Sequence, residues 1–405
     1  MIHNNNLIYC KKNKYKCITV IFAFFFLNRI ISVEILESGW INELYVLISE
    51  VYTVAYVLLC FGAIAKKNHI YVHEVSFILI IAFYFIYFLI STLMLGGNIR
   101  RIFMTAYPII GTICMIDYES RRNPRELFLS MVFFFDIMVV WNFIDMLLIK
   151  KVLNNYTSVF WLGGRNQLAI FLSLAFAFTL GYYEKYKKLK DIKLIYVIGI
   201  GVIIFVSLIF SRSVTSIICT FAIFVLYFLL YIKKKNILIN PIVVGIVYVI
   251  TWVALIVLRI HYLLADLLMK LFGRDISLSH RTIIWDTALE FIKDKPIFGY
   301  GMPDSYNVFS VHHDYTGGNN DVWTSISGHN ELLQLLYCGG MVLVIILIGV
   351  YLIGTAKCRR SELLFPIFFL SVIAILIVWL SEVPGEYALF FVLGICYYSK
   401  MLERE

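Results

Sequence analysis

RTIIWDTALEFIKDKPIFGYG, Arg281 to Gly301, stands in the middle of the one long polar interruption of this chain, which runs from Arg259 to Asn330. Apolar runs joined by short loops lie on either side, so reading this stretch as a loop outside a membrane decides the architecture. The chain has 405 residues, 61% of them hydrophobic and 15% charged, with a mean hydropathy of +0.85. That is too much apolar surface for a soluble domain of this size, and a bilayer must serve as its solvent. A crossing takes about 20 mostly apolar residues. Twelve such windows are present, at 17–36, 41–64, 75–95, 101–117, 127–149, 167–183, 193–210, 213–232, 238–258, 331–353, 362–380 and 385–400. The runs are continuously apolar rather than alternating, which predicts helices and not barrel strands. The expected fold is an all-α, polytopic integral membrane helical bundle of about 12 transmembrane helices. It forms a single membrane domain over residues 1–405, with one extracytoplasmic loop, 259–330, between the ninth and tenth helices.

Lysine and arginine set the orientation. With the N-terminus in the cytoplasm, the basic groups at Lys11–Lys16, Lys66-Lys67, Arg121-Arg122-Arg125, Lys185–Lys193, Lys233–Lys235, Lys357–Arg360 and Lys400 with Arg404 all fall inside. The short outer loops then hold only Arg100, Arg101, Lys150, Lys151, Arg165 and Arg212. The positive-inside rule predicts a multi-pass protein of the plasma membrane with both termini cytoplasmic. The net charge of +9 is thus a topology signal helped by anionic lipid, and it is no evidence for nucleic acid. The first run is followed by Asn28-Arg29 rather than a small-residue cleavage site, so it reads as a retained helix. None of the eight cysteines falls in the outer loops, and no zinc spacing occurs.

Arg29, Glu34, Glu50, Asp136 and Asp145 fall at membrane depth. Each reads either as a helix-pairing group, for instance Arg29 with Asp136 or Glu50, or as part of a substrate route. Arg165, in GGRNQ, and Arg212, in SRS, break the charge trend; each is an interfacial anchor or a planar fork for phosphate. In the loop, Tyr262–Phe272 and His280–Asp294 read as amphipathic helices that would roof a cavity, the second capped by Ser279 and stopped by Pro296. The glycines of Pro296–Gly301 can bring backbone amides close to a ligand, although neither GK[ST] nor GxGxxG is present. His312-His313-Asp314 lacks further ligands at metal spacing, and a solvated loop tip is the better reading. His329 opens the tenth helix. It either caps that helix or, kept neutral by the helix dipole, accepts a proton.

Taken together, GRNQLAIFLSLAFAF, SRSVTSII, RTIIWDTALEFIKDKPIFGYG and SGHNELLQLLYCGGMVLVIILIG resemble the superfamily of O-antigen ligases and Wzy-type O-antigen or capsular polysaccharide polymerases. The likeness covers roughly residues 160–355. It includes a histidine followed eleven positions later by glycine, His329 and Gly340, and the arginines of an SR pair and an R-x-x-x-W segment, Arg212 and Arg281. Ser213 stands where a glycine often follows the SR pair.

The resemblance implies a metal-independent membrane glycosyltransferase without a cofactor. Its donor is an undecaprenyl-diphosphate-linked oligosaccharide that enters from membrane lipid, and the partners it implies are other polysaccharide-assembly proteins such as a flippase and a chain-length regulator. Arg212 and Arg281 would hold the diphosphate, and His329 would take the proton of the acceptor hydroxyl. Arg165 is a candidate substrate contact, as are Tyr300 and Asn330. Asp286 or Glu331 are candidate contacts and alternative bases. A polymerase is expected over a ligase, because a lysine-, isoleucine- and asparagine-heavy composition fits low-GC bacteria that often lack a lipopolysaccharide acceptor. A flippase of the same lipid predicts polar groups along a path through the bilayer and two similar halves; here the cations gather on one face. A scaffold for polysaccharide assembly is the non-catalytic alternative.

Overall fold

The structure, a computed structural model, describes residues 18–23, 39–65, 72–152, 159–187, 194–233, 240–260, 262, 281–313, 322–356 and 363–403. The apolar runs form helices α1 (Gly39–Ala65), α2 (Val72–Leu95), α3 (Ile99–Arg122), α4 (Pro124–Ile144), α5 (Leu168–Tyr186), α6 (Leu194–Ser211), α7 (Val214–Lys233), α8 (Pro241–Trp252), α9 (Arg281–Asp294), α10 (Glu331–Ala356), α11 (Leu364–Trp379) and α12 (Tyr387–Leu402). Two short hairpins, β1 (Val159–Phe160) with β2 (Gly163–Gly164) and β3 (Phe309–His313) with β4 (Val322–Ile326), are the described strands. Seven helices are long and apolar enough to cross a membrane, and four apolar helices are shorter. They coincide with the windows predicted from residue 41 onward. The first window, 17–36, is described only at 18–23. Tyr262–Phe272 lies almost wholly outside the described residues, as do Arg29, Glu34 and Asp314.

Helix boundaries follow local chemistry. Pro124 and Pro241 occupy first-turn positions, where the missing N–H costs nothing, and the Asn240 Oδ1 accepts from the Ile242 N–H at 3.1 Å. α1 and α6 bury little of themselves and turn Leu58, Ile195 and Phe205 outward, a surface that only lipid accommodates. α11 and α12 are enclosed on nearly all sides. At 16 residues each they span roughly 24 Å at 1.5 Å per residue, short of a bilayer core of about 30 Å. Their linking turn is accordingly drawn in among other helices: Glu382 is 8% exposed and Glu386 1%.

Buried acids outside that turn are satisfied by neighbours. Asp136 accepts from the hydroxyls of Tyr196 and, at 2.7 Å, Thr179. Arg29, the partner weighed for it from sequence, is outside the described residues. Asp145, in the π-turn Asp145–Ile149 that ends α4, accepts from the Trp161 N–H at 3.1 Å, and Asn142 accepts from the Leu162 N–H at 3.0 Å. These bonds pin the β1–β2 hairpin to α4.

α10 is broken at Gly340, whose φ of 63° and ψ of −167° are open only to glycine. The Pro296–Gly301 strand fills the break. The Tyr300 and Gly301 amides donate to the Tyr337 and Cys338 carbonyls at 2.8 Å each, and the Met341 amide donates to the Pro296 carbonyl at 2.9 Å. The Gly299 amide donates to the Lys295 carbonyl at 3.2 Å, so the glycine amides expected from sequence to face a ligand are engaged within the protein, a correction to that reading. A Cβ on Gly340 would stand 2.2 Å from the Ile297 carbonyl oxygen. Gly340→Ala is expected to destabilise the protein by about 2–4 kcal/mol, from a glycine-only backbone and an unrelieved clash. A thermal melt in detergent checks this, and an unchanged midpoint would mean that the break is not built this way.

Candidate functional site

At one end of the bundle five separate segments meet around Glu382, three of them reaching its carboxylate directly. The first is the turn after β2. The pinned hairpin presents Asn166, whose Nδ2 donates to Glu382 Oε1 at 2.8 Å. The second is the tight α6–α7 connection, where Ser213 donates from Oγ to Asn166 Oδ1 at 2.8 Å and Ser216 donates to the Arg165 carbonyl at 2.9 Å. The third is the first residue of α9, Arg281, which forms a short ion pair with Glu382 Oε1. The fourth is His329, with Nδ1 3.7 Å from Glu382 Oε2; this is an electrostatic contact, too long for a hydrogen bond. The fifth is the α11–α12 turn that carries Glu382 itself.

Burial alone would push the Glu382 carboxyl up, but the imidazole of His329 and the Arg281 guanidinium beside it outweigh that and hold it below its ordinary value. At neutral pH the site therefore has a fixed anion between two groups that each point another face elsewhere. His329 is one-third exposed, at 33%, and Arg281 retains 17%.

The backbone here is strained where the functional candidates sit. Arg212, Arg259 and His329 have φ of 50°, 54° and 42°, a left-handed region that side-chain-bearing residues adopt at a cost. Around them the framework is rigid. Asn330 is fully buried and caps α10, accepting from the Leu333 N–H at 3.0 Å and Trp252 Nε1 at 2.9 Å and donating to the Leu380 carbonyl at 3.1 Å. Arg259 pairs with Asp286, donates to the Thr282 carbonyl at 3.2 Å and lies over the Trp285 ring, which fixes the first turn of α9 and so Arg281.

Of the residues singled out from sequence, the structure brings Arg281 and His329 together on one carboxylate and sets the Arg165 backbone beside them. Arg212 is exposed, next to Ser213 at the rim. Asn330 and Glu331 face inward, Glu331 accepting from the Gly385 amide at 2.9 Å. Asp286 bonds to Arg259 on the outer face of α9, and Tyr300 stacks on Tyr337, with centroids 4.8 Å apart, away from Glu382. Glu382 and Asn166 are the residues that sequence reasoning missed. The available signal for Glu382 was a short polar connection, SEVPGE, between two apolar runs.

Beside the cluster an apolar groove of about 390 Å³ runs along α8, α10 and α11, lined by Ile246, Val249, Leu332, Leu347 and Trp379. Its end at Leu332 and Trp379 is three residues in sequence from His329 and from Glu382. A larger groove of about 660 Å³ between α5, α6 and α7 touches no residue of the cluster. Among the described residues no three His, Cys, Asp or Glu side chains gather as metal ligands.

Fold and site together define a polytopic helical membrane protein with a polar, arginine- and histidine-bearing site at one end of its bundle. Residues 199–348 match the O-antigen ligase family, Wzy_C, so the resemblance to the O-antigen ligase and Wzy-type superfamily is borne out over that span. Arg212, Arg281, His329 and Gly340 lie inside it; Asn166 and Glu382 lie outside. No curated protein matches the chain.

Proposed function

We propose that the protein is a polysaccharide polymerase of the plasma membrane, transferring a glycan from undecaprenyl diphosphate to a lipid-linked acceptor repeat unit at the outer face, with both termini cytoplasmic. The observation that carries this reading is the meeting of Arg281 and His329 on Glu382 at the end of an apolar groove. Such a place suits a lipid whose tail stays in hydrocarbon while its diphosphate and sugar reach water. The acceptor hydroxyl oxygen attacks the anomeric carbon, the bond from that carbon to the diphosphate breaks, and undecaprenyl diphosphate leaves with the electron pair. The hydroxyl proton passes to the His329 imidazole and then to solvent. Arg281 holds one carboxylate oxygen and has further N–H donors for the diphosphate, Arg212 supplies a second cation from the rim, and Arg165 a secondary contact. No nucleotide or metal enters this scheme.

Purified protein in nanodiscs, given lipid-linked repeat units, is expected to yield a ladder of products and free undecaprenyl diphosphate; no transfer would defeat the reading. Arg281→Ala is expected to lower kcat/KM for the donor about tenfold to a hundredfold, the loss of a charge-assisted hydrogen bond to phosphate. The family's own description, O-antigen ligase, favours a second reading, transfer of finished glycan to a terminal acceptor. A deletion strain separates them: single repeat units at the surface mean a lost polymerase, and polymer stranded on the lipid carrier means a lost ligase.

A further inference from the structure

A second cleft, of about 330 Å³, opens at the same end of the bundle, walled by Gly97, Asn98, Tyr300, Gly301, Asp304 and Tyr337 and sharing no residue with the Glu382 cluster. Its walls are held firmly. The Asn98 amide donates to the Met302 carbonyl at 2.7 Å, the Met302 amide to Thr92 Oγ1 at 2.9 Å, and Arg101 Nη1 to the Pro303 carbonyl at 3.0 Å. A Cβ on Gly97 would stand 2.6 Å from the Met302 oxygen, so glycine keeps the turn between α2 and α3 against the loop. The cleft is therefore preformed, as ligand sites commonly are.

Its chemistry is that of a sugar site. Asp304, exposed at the mouth, accepts from Asn98 Nδ2 at 2.6 Å through Oδ1, which leaves its second oxygen for ligand hydroxyls. Carboxylate and carboxamide side by side match the donors and acceptors of a ring bearing neighbouring hydroxyls. The stacked Tyr300 and Tyr337 rings add an aromatic wall, the Tyr300 hydroxyl being engaged with the Phe291 carbonyl at 3.2 Å and Lys295 lying over the Tyr300 ring. Asp304 is the one ionised side chain among the lining residues, which disfavours a diphosphate and favours an uncharged saccharide. Tyr337 stands on the same helix that His329 opens, roughly two turns along it.

We infer that this cleft binds uncharged sugar residues of the glycan that lie away from the bond being made, so that the chain stays held between transfers. The inference rests on the glycan-transfer reading and adds a second place of contact to it.

The probe is the repeat-unit oligosaccharide released by mild acid from the lipid carrier of a deletion strain, titrated against the full-length protein in detergent. Asp304→Ala is expected to weaken its binding about tenfold, and Asp304→Asn, which keeps an acceptor for Asn98, several-fold; both are expected to shorten the product ladder. His329→Ala is expected to bind the probe as the wild type does while making product at least about a hundredfold more slowly. Competition names the source: displacement by long polymer marks the donor chain, and displacement by single lipid-linked repeats marks the acceptor. Wild-type probe binding and ladder length in both Asp304 variants would overturn the cleft assignment alone, whereas absence of transfer by the wild-type protein would overturn the reading beneath it.

Discussion

His329→Ala is expected to cut the rate of glycosyl transfer by about 10²–10⁴-fold, the usual contribution of a positioned general base, while the protein still folds and binds its lipid-linked donor. Folding should survive because the helix cap is Asn330 and not His329: Asn330 holds the Leu333 amide, Trp252 and the Leu380 carbonyl. The capping role open to His329 on sequence grounds is therefore already filled. The left-handed backbone, φ 42°, is a strain that His329→Asn tolerates better than alanine, so the asparagine variant isolates the imidazole from the backbone. Single-turnover assays at saturating donor measure the chemical step directly. If either variant turns over within tenfold of wild type, with donor affinity unchanged, another group takes the proton.

The helices were legible because continuous apolar runs can satisfy their backbone in lipid in one way only, and the windows from residue 41 onward coincide with helices to within a few residues. Arg281 and His329 were legible because residue types and order carry chemistry. What could not be read were facts set by tertiary contact. Gly340 looked like a spacing; its reason is a break in α10 that needs the Ile297 backbone alongside. The glycines of Pro296–Gly301 looked like a ligand loop, but the Gly301 amide serves α10 and the Gly299 amide the Lys295 carbonyl. Asp136, set at membrane depth, finds two hydroxyls, which no local pattern announces. Glu382 is 101 positions from Arg281, and a glutamate in a short polar turn reads as solvated unless the shortness of α11 and α12 is noticed.

Glu382→Ala is expected to lower kcat/KM by about a hundredfold to a few thousandfold, since removing one member of a buried pair costs about 3–5 kcal/mol and each 1.4 kcal/mol is about tenfold. The carboxylate touches Arg281, Asn166 and His329 at once, so its loss frees the guanidinium from its place and leaves Nδ1 of the imidazole with no anion beside it. Glu382→Gln keeps the shape and removes the charge, and its loss should be smaller. A merely structural role predicts an unchanged rate at saturating substrate once the variant is folded; a positioning role predicts a lower one. Because the folded protein holds this carboxyl below its ordinary value, its contribution is complete above about pH 4.3, the ordinary glutamate value. It declines as pH falls through the lowered value, where the proton breaks the contacts to Arg281 and His329. The wild type should therefore lose thermal stability below about pH 4.3 in a way that Glu382→Gln does not, with reduced transfer at neutral pH in the variant. Wild-type transfer by Glu382→Gln together with the same acid loss of stability would leave Arg281 and His329 as neighbours that do not depend on the carboxylate between them, and the site would have to be drawn around a different anion.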